Sequence, residues 1–408
     1  MASVLLYHVV GDLTVGKPEL VEFLETETVE SAIKAIGEST ESGIPVWKKR
    51  PQKGGIENSE SRQQRFLGIL NSMDIVAFLA QDWCLQDQEK AMKTPVSEIV
   101  VPNNSLLKQV DPATRLIDAL DIMKQGVKRL LVPKSGAWKC VSKKFSILYN
   151  GKWLKNIETN SSSSKLGSLN RPSSSNTNCL TAKFCCLSRE DIARFLIGCL
   201  GALAPIPLTS ISTLGAINPH FYSIEASLPA IQATKKVPQD PIAVAVVEHT
   251  PDGHDKIIGE ISASKLWKCD YLAAAHALSS LTSGQFVMGV EENATSRSPP
   301  DVEMNSAIGG ETNGGGSVRP KKFSSRSIGF FSSTVNPGQA NGRSLYRGRS
   351  APLTCKDTSS LAAVMAQMLS HRATHVWVTE GEDNVLTGVV GYGEILHAVT
   401  RSPSSIAH

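Results

Sequence analysis

The 408-residue sequence has no long hydrophobic run: its longest, Phe195 to Leu208, is 14 residues and carries Pro205 and Pro207. A bilayer-spanning helix needs about 20 apolar residues, so no membrane segment is expected. The opening stretch MASVLLYHVVGDLTVG has no basic start and meets Gly11 and Asp12 after a brief apolar run, which predicts no secretory signal. The eight cysteines lack the dense, regular spacing of a disulfide scaffold. Cys185 and Cys186 are adjacent with no metal-ligand spacing around them, so one is expected in the core and the other near the surface. His371 and His375 straddle a helix-to-strand turn and make a poor metal pair. No glycine-rich phosphate loop is present either, because the GGGS of the long polar stretch precedes no helix and lacks the lysine. With no ionisable constellation suited to catalysis, the sequence predicts a protein that is not an enzyme and requires no cofactor.

What is present is enough apolar side chain, 41% against 20% charged, for real cores. The net charge of +4 comes from one place. Residues 319 to 349 hold seven basic residues and no acidic one, and without them the chain carries 35 basic against 38 acidic residues. That balance gives no nucleic-acid surface. The polar segments mark where folded parts stop. Residues 156 to 178 contain 13 Ser or Asn in 23 positions, and 292 to 350 are a basic linker rich in Gly and Ser, so both are expected to be disordered. Lys48 to Gln64 reads as a smaller polar insertion. Just before the serine run, Asn150-Gly151 lies between short apolar stretches, the pattern of a type I′ hairpin. Serines three residues after a basic residue, Ser324 and Ser350, suit basophilic phosphorylation.

The remainder repeats. Val29, Ala32, Ile33 and Ile36 fall on one helical face, and the strand Ile44–Trp47, the strand FLGIL (66 to 70) and a helix from Ser72 follow. Leu116, Ala119, Leu120 and Met123 precede VKRLLV (127 to 132) and FCCLSREDIARFL (184 to 196) in the same order. Leu361, Val364, Met365 and Met368 precede HVWV (375 to 378) and LTGVVGYGEILHAV (386 to 399). The third copy, ASLPAIQATKK, IAVAVVE and KIIGEISASKLW, is the least regular. Its neighbouring junctions at positions 68, 185, 259 and 388 are 117, 74 and 129 residues apart, and become 77, 74 and 70 once the insertions are removed. The reading is an α+β chain of four repeats, each too small to cover both faces of its own sheet and therefore paired with a neighbour.

The junctions GILNSMD, LSREDI, GEISASK and GVVGYGE resemble those of CBS domains, whose pairs form Bateman modules. The resemblance covers about residues 11 to 290 and 351 to 402 and extends to the gamma regulatory subunit of AMP-activated and sucrose-non-fermenting-related kinases, and to plant CBS-domain-containing proteins. It implies CBS units at 11–82, 95–210 (with an insertion at about 140–182), 211–291 and 351–402, the last preceded by the 292–350 linker, arranged as two Bateman-type pairs, 11–210 and 211–402. It also implies a cleft for AMP, ADP or ATP in which a Ser or Thr and the Asp three residues later hold the ribose. Ser188 and Asp191 keep that pair; Asp74 stands with Asn71 in the first unit; Ser262 with Lys265 and Gly391 with Glu394 depart from it. Lys128 and Arg129, and further off His375 and Lys265, are the candidate phosphate cations, with Ile44, Val46, Leu130 and Val132 as candidate adenine walls. An aspartate in a first helical turn is also an ordinary cap. The expected role is regulation of a protein partner such as a kinase catalytic or scaffold subunit, with homo-oligomers possible for stacked CBS modules and a cytoplasmic location that the basic linker extends to the nucleus. The competing reading is a ligand-free scaffold acting through protein contacts alone.

Overall fold

Four times the chain runs strand, helix, strand, strand, helix, the first helix of the third repeat being a short 3-10 segment. The computed structural model describes residues 3–50, 59–134, 147–149, 152–154, 183–288, 351–381 and 383–401. The Ser/Asn run at 156–178 and the linker at 292–350, with its serines, lie outside the described residues. The elements belong to one compact unit, Met1–Val290 with Tyr346–His408.

The first repeat is β1 (Phe23–Leu24), α1 (Val29–Glu38), β2 (Gly43–Trp47), β3 (Phe66–Asn71) and α2 (Ser72–Leu79). Thr28 starts α1 by accepting the Ser31 N–H, and Val29, Ala32 and Ile36 are buried on its inner face. The second is β4 (Leu107–Gln109), α3 (Leu116–Lys124), β5 (Arg129–Lys134), β8 (Lys183–Ser188) and α4 (Arg189–Gly198), and between its last two strands stands a hairpin of β6 (Ile147–Tyr149) and β7 (Lys152–Leu154). The hairpin strands pair antiparallel on either side of the expected turn. The third is β9 (Ser223–Glu225), β10 (Ala243–His249), β11 (Asp255–Ser262), α5 (Ala263–Leu266), α6 (Tyr271–Ser280) and α7 (Ser283–Met288); the fourth is β12 (Thr354–Cys355), α8 (Leu361–His371), β13 (His375–Glu380), β14 (Val385–Gly391) and α9 (Tyr392–Thr400).

In two places the elements differ from what periodicity predicts. The polar stretch before β3 ends in a helix, Ser59–Arg65, whose sequence SESRQQR has no apolar face to announce it. In the third repeat the expected first helix is a 3-10 segment, Ala230–Lys236, with Ala230 and Ala233 buried at the three-residue spacing that such a helix eclipses. Pro229 and Pro238 bracket too few residues for a longer α-helix, because the residue before a proline is driven to extended backbone.

In every repeat the first strand pairs parallel with the second, and the second antiparallel with the third. The first two repeats form separate three-stranded sheets, whereas β11 and β14 join the last two into one sheet of order β12-β13-β14-β11-β10-β9. Sheet faces of the first two repeats meet through Trp47, Phe66, Leu107, Leu131 and Phe184. Those of the last two meet through Ala245, Val247, Ile257, Trp377 and Val389. Helices bring the repeats together in the other direction. Val76 and Leu79 share a core with Ala274 and Leu278, and Leu120 and Met123 share one with Val364, Met368 and Leu396. Each repeat thus covers its sheet with one neighbour and its helices with another. No helix among the described residues is long and apolar enough to cross a membrane.

Three junctions carry glycine three residues before the strand's end, for a steric reason. A Cβ on Gly68 would stand 2.6 Å from the Val101 carbonyl oxygen, one on Gly259 2.5 Å from Val287 Cβ, and one on Gly388 2.5 Å from Ile217 Cγ2. The chain entering or leaving the repeat lies directly on the strand there. Gly68→Ala is expected to cost about 1–3 kcal/mol by overpacking, seen as a lower urea midpoint; an unchanged midpoint would mean that the segment at Val101 moves aside freely.

Candidate functional site

Strand register places the four junctions at equivalent positions. Asn71, Ser188, Ser262 and Gly391 end their strands opposite Gly43, Arg129, Ala243 and His375. Each is an N-cap, so the residue three further on is fixed in the first helical turn. In the first repeat Asn71 Oδ1 accepts the N–H of Met73 (2.9 Å) and Asp74 (3.1 Å), and Asp74 Oδ2 accepts from Asn71 N (3.0 Å) and Nδ2 (2.5 Å). In the second, Ser188 Oγ accepts the Asp191 N–H (3.2 Å), while Asp191 Oδ2 accepts from Ser188 N (2.8 Å) and Oγ (3.1 Å) and takes Lys17 Nζ as well. In both aspartates these bonds end on Oδ2, and Oδ1 carries none among the described residues. A carboxylate oxygen has two lone-pair sites and accepts hydroxyl donors readily.

The other two junctions are spent differently. Glu394 Oε2 accepts the Gly391 N–H (2.9 Å) and its Oε1 accepts from Asn218 Nδ2 (3.3 Å). Lys265 donates its N–H to Ser262 Oγ (3.2 Å) and its ammonium to the Ala351 carbonyl (3.3 Å).

Arg129 lies against Glu41 of the first repeat, Nη1 to Oε1 at 2.7 Å and Nη2 to Oε2 at 2.6 Å, and also donates to the Gly43 carbonyl (3.3 Å). Lys128 donates to the Gln239 carbonyl, and burial holds its pKa below the usual lysine range. Beside it Arg189, itself buried, donates to the carbonyls of Val127 (3.2 Å) and Met123 (2.6 Å) and pairs with Asp240 of the third repeat. A methyl on Gly393 of the fourth repeat would stand 3.7 Å from Arg189 Nη1. Residues of all four repeats therefore meet around Lys128, Arg129 and Arg189. Sequence reasoning missed Lys17, Glu41, Arg189 and Asp240, since each lies far along the chain from its partner or outside the junction motif.

Two expectations are corrected. His375 is not open to a ligand: it is 1% exposed, its Nε2 lies 3.1 Å from Glu260 Oε2, and that carboxylate also accepts from Trp377 Nε1 (2.5 Å) and Ser262 Oγ (2.8 Å). Burial alone would push the Glu260 carboxyl up, but His375 beside it, with Lys265 and Ser262, brings it down to about 2. Ile44, Val46, Leu130 and Val132 belong to the cores on the helix side of their sheets, while their neighbours Trp47 and Leu131 face the sheet-to-sheet contact. Period-two alternation leaves no other choice. Cys185 is buried and Cys186 half-buried, and burial pushes the Cys186 thiol up to about 11, away from thiolate chemistry at neutral pH. Among the described residues no group of three His, Cys, Asp or Glu could hold a metal ion.

Asp74 differs from an ordinary surface cap. Burial raises its pKa from 3.8 to about 6 against the opposing Asn71 bonds and the Lys128 charge. Because the folded state then holds the proton more tightly than the unfolded one, this group's contribution to stability falls as pH rises from about 4 to 6 and stays low above that. Asp74→Asn keeps an acceptor for the Asn71 N–H and removes the buried charge. The variant is expected to be at least as stable as the parent at pH 7 and to lose the decline between pH 5 and 7 that this carboxyl causes, as checked by urea unfolding at both pH values. A variant clearly weaker at pH 7 would contradict the assignment.

The family model of the CBS domain matches residues 348–401. Over 413 residues the chain is 70% identical to the CBS domain-containing protein CBSX6 of Arabidopsis thaliana, covering 99% of this chain and 96% of the relative. It is 23% identical over 424 residues to the SNF1-related protein kinase regulatory subunit gamma-like PV42b of the same plant, covering 98% and 96%. In fold it is similar to the crystal structure of protein MJ1225 from Methanocaldococcus jannaschii, described as an archaeal homologue of g-AMPK, with a TM-score of 0.51 at 12% identity over 95% of this chain and 99% of that one.

Proposed function

This chain belongs to the CBS domain-containing proteins, a non-enzymatic kind of chain related to kinase regulatory gamma subunits, and on that footing we propose that it senses an adenine nucleotide and passes the signal to a protein partner. The repeats correspond to four CBS units, 11–82, 95–210, 211–291 and 351–402, in two Bateman-type pairs, the members of each pair meeting by their sheet faces. AMP, ADP or ATP occupies a cleft at the junctions, with Asp191 beside Ser188, or Asp74 beside Asn71, receiving the two ribose hydroxyls. Lys128, Arg129 and Lys17 are the cations for its phosphates. The observation that carries this reading is the Oδ1 of both clasped aspartates, which accepts no bond among the described residues while Oδ2 holds each side chain in place. Regulation follows if the nucleotide favours one arrangement of the paired units, and the partner, a kinase catalytic or scaffold subunit, binds that arrangement differently.

A second reading, a scaffold whose clefts are filled by its own side chains, is favoured by one feature. Lys17 already occupies Asp191, and Glu41 already occupies Arg129. Thermal unfolding of the full chain with and without each nucleotide separates the two. At a nucleotide concentration about 100 times the dissociation constant the sensor gains about 2.7 kcal/mol and its melting temperature rises, whereas the scaffold does not respond.

A further inference from the structure

We propose that the groove between the outer end of α2 and the 3-10 segment of the third repeat docks a cationic peptide of a protein partner, with an aliphatic side chain set between its basic residues. The groove measures about 800 Å³. Every charged residue lining it is acidic: Asp74, Asp82 and Glu98. Asp82 and Glu98 are exposed, with no side-chain bond or ion pair to either among the described residues. No lining cation offsets them, so the groove repels phosphate and attracts ammonium or guanidinium groups.

Its remaining walls give a cation something further to hold. Trp83 is 39% exposed, yet it is fixed in place by Nε1 donating to Gln81 Oε1 (2.9 Å) and by an edge contact with Phe78 at 5.5 Å between ring centroids. An exposed, immobilised indole is an efficient surface for a basic side chain. The ring already draws Lys90, whose Nζ lies 6.0 Å from its centroid. Ile99 and Ile231 close the groove with half-buried apolar surface. An acidic rim around an aromatic and aliphatic floor is complementary to Lys or Arg alternating with Leu, Ile or Val; the groove shares Asp74 with the proposed first-repeat nucleotide cleft, so the test is made at Asp82, Glu98 and Trp83, which that cleft does not use.

The test uses the full chain and a fluorescein-labelled synthetic peptide of arginines interleaved with leucines, followed by anisotropy at low and physiological salt. The expected result is micromolar binding that weakens about tenfold in Asp82→Asn/Glu98→Gln and in Trp83→Ala, with no binding of the peptide in which glutamate replaces arginine. Equal binding by the parent and the double variant, or binding of the glutamate peptide, would overturn the proposal. So would a self-association of the parent, seen by sedimentation, that the same double variant abolishes, because the groove would then belong to a second copy of the chain.

Discussion

Glu260→Ala is expected to cost about 3–5 kcal/mol of folding stability, the penalty for stripping one partner from a buried charged network. The carboxylate is the common acceptor for His375, Trp377 Nε1 and Ser262 Oγ, and it sits where the third and fourth repeats share a sheet. Its loss leaves an indole N–H and a hydroxyl without their acceptor inside the sheet. Glu260→Gln keeps an acceptor oxygen and should cost less. The two variants also differ in acid. With the folded pKa at about 2 and the ordinary value at 4.5, this group stabilises the fold above about pH 4.5 and loses that contribution as pH falls toward 2. Urea midpoints at pH 7 and pH 4 check both statements: the gap between parent and Glu260→Gln should narrow at the lower pH. An Ala variant as stable as the parent would mean that the network carries no weight.

Arg129→Met is the second large expected effect. The guanidinium and Glu41 are 12% and 21% exposed and meet through two oxygens, so removing the cation strands a carboxylate between the first two repeats. A loss of about 3 kcal/mol is expected, and adding Glu41→Ala to that background should recover roughly half or more of it, since neighbouring partners are not additive. A double variant that simply sums the two single losses would show that Arg129 acts through other contacts. The same pair bears on the proposed function, because Arg129, already matched by Glu41, would have to trade that partner for a phosphate.

The repeat was legible because helical and strand periods are local. The buried faces of α1, α3 and α8 are those that the spacing of Val29, Leu116 and Leu361 with their followers indicates. The helix at Ser59–Arg65 was not legible, since none of its side chains is apolar, nor was the edge joining β11 to β14, which rests on a register of Lys256 with Val385 that no motif marks. At the site, the positions of Asn71, Asp74, Ser188 and Asp191 follow from the junction motif. Their surroundings do not. Lys17 is 174 residues from Asp191, and Glu41 is 88 residues from Arg129, so only the fold brings them together. The adenine-wall expectation failed by parity alone: hydrophobicity marks Leu130, Leu131 and Val132 alike, and only the pairing of β5 with β8 decides which of them turns toward the opposite sheet.

Isothermal titration of AMP, ADP and ATP into the full chain, repeated with Asp191→Asn and Asp74→Asn, asks whether a junction aspartate holds a nucleotide. Micromolar binding of at least one nucleotide is expected, weakened tenfold or more in the variant whose carboxylate holds the ribose and unchanged in the other. Absence of heat for all three nucleotides, or binding indifferent to both substitutions, would contradict it.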